Sequence, residues 1–151
     1  MVKKIIIFLV FLSFTNCGYS PIHLKKNDTS FFIKDFKLEG NKKIGKKIIN
    51  ALNIKDTIDY KKKAYILIIN SENKIDTLSK DRAGNITVYK TTVSVTLEIK
   101  EDGKTIKIKK LSNNFTYNNL DNKFDLSQYQ KNIEKNLTNK IIDEIRVFLN
   151  F

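Results

Sequence analysis

ITVYKTTVSVTLEIK, residues 86–100, is the most regular stretch of the chain. Apolar and polar residues alternate strictly over its second half. The apolar positions are Val93, Val95, Leu97 and Ile99, and the polar ones are Thr92, Ser94, Thr96 and Glu98. This alternation is typical of a β-strand that buries one face and wets the other. The stretch therefore predicts a largely antiparallel sheet that is covered on one side.

A second long strand precedes this one across the turn at residues 81–85, DRAGN. It begins with the apolar Ala64–Ile69 and becomes polar towards Lys80. About seventeen residues at ~3.3 Å each would extend ~55 Å, well beyond an ordinary strand. The outer halves, Asn70–Lys80 and Ile86–Thr91, are too polar for a core. Either they fray into a loop, or the hairpin projects from the body.

The return strand follows an Asp-Gly hairpin turn at Glu101–Gly103 and covers about Lys104–Tyr117. Its apolar residues change phase along the strand. They lie at Ile106 and Ile108, and then at Leu111, Phe115 and Tyr117. The change suggests a β-bulge near Lys109-Lys110.

The first elements of the domain are a strand and a short helix. The strand covers residues 31–38 and places Phe32, Phe36 and Leu38 on one face. Asn41 is a helix N-cap for the amphipathic stretch 42–52, in which four apolar residues recur at helical spacing. These residues are Ile44, Ile48, Ile49 and Leu52.

The chain ends in a second helix. Residues 118–124 read as a polar loop that contains Lys123, and Ser127 with Gln130 has capping-box spacing. The helical stripe is Ile133, Leu137, Ile141, Ile145 and Phe148. The predicted fold is α+β, with the order β-α-β-β-β-α. Two helices cover one face of a four-stranded, mostly antiparallel sheet.

The N-terminus has the order of a lipoprotein leader. Two lysines precede the ten-residue apolar run Ile5–Phe14, which is too short to span a bilayer, and Cys17 follows. We expect residues 1–16 to be a signal peptide, residues 17–30 a lipidated tether attached through Cys17, and residues 31–151 one domain. Gly18 is not the Asp of inner-membrane retention, which favours the outer membrane. Phe14 and Asn16 depart from the usual lipobox, so an ordinary signal peptide cut elsewhere is the alternative.

The composition favours binding of another molecule over catalysis. The chain has 28 Lys and Arg against 16 Asp and Glu, with one Cys and one His. One Cys and one His cannot build a usual zinc site, and the nucleotide-binding, zinc-protease and serine-hydrolase motifs are absent. We therefore expect no enzyme and no cofactor beyond the covalent lipid. The positive charge predicts an acidic partner, and the alternative is a general compositional preference for Lys, Ile and Asn. Nucleic acid fits the charge, but an exported protein seldom meets it.

The basic residues near the 81–85 turn are the candidate binding residues. Lys80 and Arg82 lie at the turn, and Lys123 lies before the last helix. Arg82 is one of only two arginines, and its planar guanidinium suits bidentate contact with phosphate. The alternative is a charged turn that only keeps the hairpin soluble.

Three segments resemble the LPS-assembly lipoprotein (LptE) family, particularly its alphaproteobacterial form. They are CGYSP at residues 17–21, DRAGNITVYKTTVSVTLEI at 81–99 and the Phe115-Thr116-Tyr117 run before the last helix. The resemblance implies an outer-membrane subunit of the lipopolysaccharide translocon. Such a subunit plugs the large, LptD-like β-barrel subunit, helps it fold and binds lipopolysaccharide.

The resemblance also implies roles for individual residues. Arg82 matches the basic residue that the family uses for lipopolysaccharide, Lys80 adjoins it, and Lys123 maps to a second basic position. The alternative is a lipoprotein subunit of another ABC-type or lipid-trafficking system that binds a periplasmic partner.

Overall fold

The computed structural model describes residues 32–53 and 64–149. The elements are β1 (Phe32–Gly40), α1 (Lys42–Ala51), β2 (Ala64–Lys80), β3 (Ile86–Glu101), β4 (Lys104–Asn118) and α2 (Lys123–Leu149). The predicted signal peptide, the lipidation of Cys17, the tether and most of the loop before β2 lie outside the described residues. Neither described helix combines the length and hydropathy needed to cross a membrane.

The four strands form one sheet in the order β1-β2-β3-β4. β1 runs parallel to β2, and the other two pairings are antiparallel. Helix α2 lies over one face of the sheet. Asn73 and Asn113 flank Val93 of β3 on the neighbouring strands, and their side chains donate to Glu134 and Glu144 of α2. Helix α1 packs beside α2 on the same face of the sheet. The predicted fold class and element order are confirmed.

The apolar face of β3 forms the centre of the core. Its alternating residues Val93, Val95, Leu97 and Ile99 are each no more than 1% exposed. Leu67 and Ile69 continue this face in β2, and the predicted stripe of the last helix packs over it. The alternation in the sequence therefore identified the buried face correctly.

The connection from β1 to α1 is tightly packed. Gly40 has a φ of +67°, and a Cβ there would lie 2.3 Å from the carbonyl oxygen of Ser71. Asn41 N donates to that same oxygen, and Asn41 Oδ1 accepts from the N–H groups of Lys43 and Ile44. The predicted N-cap and apolar face of α1 are confirmed.

Helix α2 begins earlier than the capping-box spacing predicts. Asn122 Oδ1 accepts from Phe124 N at 2.9 Å, and Leu126 N donates to Asn122 O at 3.0 Å. These bonds make Asn122 the N-cap, so the predicted start at Ser127 is wrong. Lys123 is the first helical residue and does not lie in a loop.

The bulge predicted near Lys109-Lys110 is also wrong. Pairing with β3 is continuous from Lys107 to Asn118, and the register shift leaves Ile106 unpaired beside the hairpin turn. The apolar phase changes because Ile108 lies on the uncovered face, 56% exposed. Lys107 instead lies on the covered face, its ammonium 4.2 Å from the centre of the Phe148 ring.

A register shift also occurs in β1, between Ile33 and Asp35. It brings Ile33 onto the core side together with the half-buried Phe36 and Leu38. The sequence predicts the Phe32 side chain on that face, but this side chain is outside the described part of the structure.

The long β2–β3 hairpin does not fray, because its strands remain paired as far as Lys80 and Ile86. Nor does it stand free. β4 accompanies β3 up to Val88, and Asn119 N donates to Thr87 O at 2.8 Å. The polar outer half is thus an ordered part of the sheet, flanked by the β4–α2 connection.

Candidate functional site

The turn at the end of the β2–β3 hairpin is organised by one carboxylate. Asp81 Oδ1 accepts from the backbone N–H groups of Ala83 and Asn85, at 2.9 and 2.8 Å. Asp81 Oδ2 accepts from Asn85 Nδ2 at 3.0 Å, and the backbone closes the loop through Asp81 N and Asn85 O at 2.8 Å. The turn therefore holds a defined shape although it is fully exposed.

These bonds also affect the protonation of Asp81. Hydrogen bonds from the Asn85 side chain, and next from its backbone, lower the pKa of the Asp81 carboxyl. Because the bonds favour the charged form, Asp81 stays ionised at neutral pH. The donors of the turn occupy both of its oxygens, so the carboxylate serves to shape the turn.

Lys80 and Arg82 are both exposed beside this carboxylate. Among the described residues neither forms an ion pair. Other basic residues at the surface do so, as Lys74 does with Asp76 at 2.9 Å. The two tip cations are therefore available to an external anion.

Lys123 lies close to the same turn. It lines a cavity of about 560 Å³ together with Asp81, Asn85 and Asp121. Lys80 and Arg82 do not line this cavity, so the structure brings Lys123 to the side of the tip without merging the three cations into one pocket. We call Lys80, Arg82 and Lys123 the basic tip.

Asn119 is a residue of this site that the sequence analysis missed. Its Nδ2 donates to Ile86 O at 2.9 Å, which fixes the β4–α2 connection against the hairpin. Its Oδ1 is buried and has no partner among the described residues. Its place in the polar loop predicted after Tyr117 was the only available signal, and Asn is common in such loops.

A group of aromatic rings extends from the site along β4 and α2. Tyr117 stacks on Tyr89 with ring centroids 5.7 Å apart, and Tyr129 meets it edge-on at 5.5 Å. The Tyr117 hydroxyl lies 3.0 Å from Thr91 Oγ1, so both buried hydroxyls are satisfied. Phe115 stacks on Tyr117 at 6.5 Å but stays 46% exposed. The sequence placed Phe115 and Tyr117 on the return strand and predicted no contact between the rings.

The described residues contain no group of three or more His, Cys, Asp or Glu side chains that could hold a metal ion. Their exposed cations and the partly exposed ring of Phe115 suit binding of a ligand with an anionic and an apolar part.

Comparison with known proteins gives matches in structure only. No protein-family model and no curated protein matches the sequence. The structure is similar to rare lipoprotein B from Shewanella oneidensis, with a TM-score of 0.53, 16% identity, and coverage of 77% of this chain and 92% of that one. It is also similar to a minor lipoprotein from Acinetobacter baumannii, with a TM-score of 0.56, 16% identity, and coverage of 74% and 87%.

A third similar structure is lipoprotein B from Nitrosomonas europaea, with a TM-score of 0.53, 11% identity, and coverage of 81% and 85%. At identities this low, the structural similarity shows a common fold and nothing more. The chain therefore has the fold of rare lipoprotein B.

Proposed function

We propose that this chain is an outer-membrane lipoprotein subunit of the lipopolysaccharide translocon. In this role a lipid on Cys17 anchors it, the domain plugs the large β-barrel subunit and assists its assembly, and the basic tip binds lipopolysaccharide. The fold that it has in common with rare lipoprotein B supports the proposal, as does the resemblance of its hairpin and lipid-site sequences to the LPS-assembly lipoproteins.

The observation that carries the binding role is the state of the tip. A hairpin of unusual length remains paired to its end, and there Asp81 shapes a turn that presents Arg82 without an ion pair among the described residues. A turn that served only solubility would not need this fixed geometry. An exposed guanidinium on a turn of fixed backbone shape, without an ion pair among the described residues, suits a phosphate group.

The charge balance favours an anion at this place. Lys80 and Arg82 flank Asp81 along the chain, and Lys123 lines its cavity together with Asp81 and Asp121, so three cations accompany two carboxylates around the tip. The bonds within the turn already engage the Asp81 oxygens. Each charge-assisted bond to a phosphate should contribute about 1.5–3 kcal/mol where water is partly excluded, and under about 1 kcal/mol where the pair stays wet.

The test compares the lipopolysaccharide affinity of wild type with that of Arg82→Asp/Lys80→Asp. The matched control is Lys104→Asp/Lys110→Asp, which makes the same change of charge at exposed positions near the other end of the sheet. We expect the tip variant to bind at least about tenfold more weakly, since two charge-assisted bonds are lost. Equal affinities of a folded tip variant and wild type, at low and moderate salt, would refute the binding role.

The partner and the anchor require separate tests. Pull-down from detergent-solubilised outer membrane should recover a large β-barrel protein. Recovery of a periplasmic or transporter component instead would favour the alternative lipid-trafficking function. The intact mass of the membrane-extracted protein should correspond to a chain that begins at an acylated Cys17, and an unmodified cysteine would contradict the anchor.

A further inference from the structure

An exposed apolar groove lies between β4 and α2. We call it the aromatic seam and define it by Phe115, Tyr117, Leu120 and Tyr129. These residues line a groove of about 450 Å³. Phe115 and Tyr129 also line the adjoining groove of about 270 Å³. The two grooves therefore share the walls that Phe115 and Tyr129 form.

The seam exposes more apolar surface than the packing of the domain requires. Phe115 is 46% exposed and Tyr129 and Leu120 are each 39% exposed, although Tyr117 between them is buried. The second groove is also lined by Ile133 and Leu137, both 5% exposed. An exposed aromatic wall above buried aliphatic residues is typical of a site for an apolar ligand group.

The seam adjoins the polar cavity at the basic tip. Leu120 lines both the 450 Å³ groove and the cavity that contains Lys123. Asp81 and Asp121 line the same cavity, and the bonds of the turn engage both Asp81 oxygens. An amphiphile would therefore place its anionic group beside Lys123 and run its hydrocarbon chain past Leu120 to Phe115. Cationic and apolar surfaces in this order complement a lipid that carries a phosphate.

We propose that the aromatic seam is an acyl-chain subsite for the anionic lipid that the basic tip binds. This inference rests on the proposed function, because it assigns the tail of the ligand whose phosphate the tip holds. Headgroup and chain then contribute separately to affinity. Free phosphate gains only the first contribution and an uncharged alkyl ligand only the second.

The experiment uses dodecyl phosphate below its micelle concentration as the probe, with inorganic phosphate and dodecyl maltoside as the separate parts. The affinity of the full chain for each is measured by calorimetry. The test variant is Phe115→Thr, which keeps a residue suited to a strand. The matched control is Ile108→Thr, also on β4 and 56% exposed, but on the opposite face of the sheet.

We expect wild type to bind dodecyl phosphate more tightly than either part. Phe115→Thr should weaken dodecyl phosphate binding on the order of fivefold, because a half-exposed phenyl ring no longer covers the chain. Ile108→Thr should leave it unchanged. In wild type, nuclear magnetic resonance should show methyl shifts at Leu120 and Leu137. Leu120→Ser, in the connection before α2, is a second variant should Phe115→Thr fail to fold.

Equal effects of Phe115→Thr and Ile108→Thr would overturn the proposal, as would equal binding of dodecyl phosphate and inorganic phosphate. If Phe115→Thr lost a protein partner but kept its dodecyl phosphate affinity, the seam would be a protein interface, and the proposal would again be wrong. Lys123→Gln separates the two hypotheses, because Lys123 is the tip cation that lines the cavity beside Leu120. If the tip does not bind the phosphate, Lys123→Gln keeps the wild-type affinity for dodecyl phosphate. If only the seam proposal fails, Lys123→Gln loses affinity and Phe115→Thr keeps it.

Discussion

Replacing Val95 with Asp tests the assignment of the buried face. Val95 is 1% exposed and lies between Ser71 and Leu111 in the register of the sheet. The Ser71 hydroxyl already donates to Asn41 O at 2.8 Å and offers the new carboxyl no bond without losing its own. Loss of the buried Val side chain costs about 1.5–3 kcal/mol. Burying a carboxyl without a partner adds roughly 1–3 kcal/mol.

The expected total of about 2.5–6 kcal/mol is a large fraction of the roughly 5–15 kcal/mol that stabilises a typical domain. It should lower the melting temperature by roughly 10–20 °C, measured by circular dichroism. Burial raises the pKa of the introduced carboxyl, so the loss of stability should be smallest below the unfolded-state pKa and grow as pH rises through it.

Thr96→Asp is the matched control, because Thr96 lies on the opposite face of β3, across from Lys110. It should change stability by less than about 1 kcal/mol at any pH. If the two Asp variants melted at the same temperature, the face assignment would be refuted.

Three further changes test local features. Gly40→Ala places a Cβ 2.3 Å from the Ser71 carbonyl oxygen at a positive φ. The free energy of unfolding of this variant, measured by urea denaturation, should fall by more than about 2 kcal/mol. Gly84→Ala, also at positive φ but with open space around it, should lose about 1 kcal/mol, and equal losses would exclude the contact as the cause. Asn41→Ala should cost about 1 kcal/mol through loss of the α1 cap, and no loss in the same denaturation assay would contradict the capping role. The pKa of Asp81 is lowered in the folded state, so its contribution to turn order is present at neutral pH and lost as pH falls through that pKa. Amide resonances of the turn should move on acidification in wild type and stay in place in Asp81→Asn.

The fold followed from the sequence wherever local pattern and burial agree. The alternation around Val95 allows only one face of the strand to be buried, and the spacing of Ile44 and Ile48 allows only one face of the helix. Both elements were predicted correctly. The errors occurred where two local signals compete. Ser127 had the spacing of a capping box, but Asn122 supplies an N-cap five residues earlier and the helix begins there.

The candidate site depends on contacts that no local pattern encodes. Arg82 and Lys80 could be placed at the tip from the turn sequence alone, because a hairpin brings its own ends together. Lys123 is near the tip only because Asn119 bonds to the β3 backbone, and that bond joins segments 33 residues apart. The aromatic seam requires Phe115 and Tyr129 to meet across β4 and α2, which depends on the start of α2 and on a β4 without an internal bulge. The two features that the sequence misjudged, the start of α2 and the register of β4, are thus the ones that bring an apolar groove beside the basic tip.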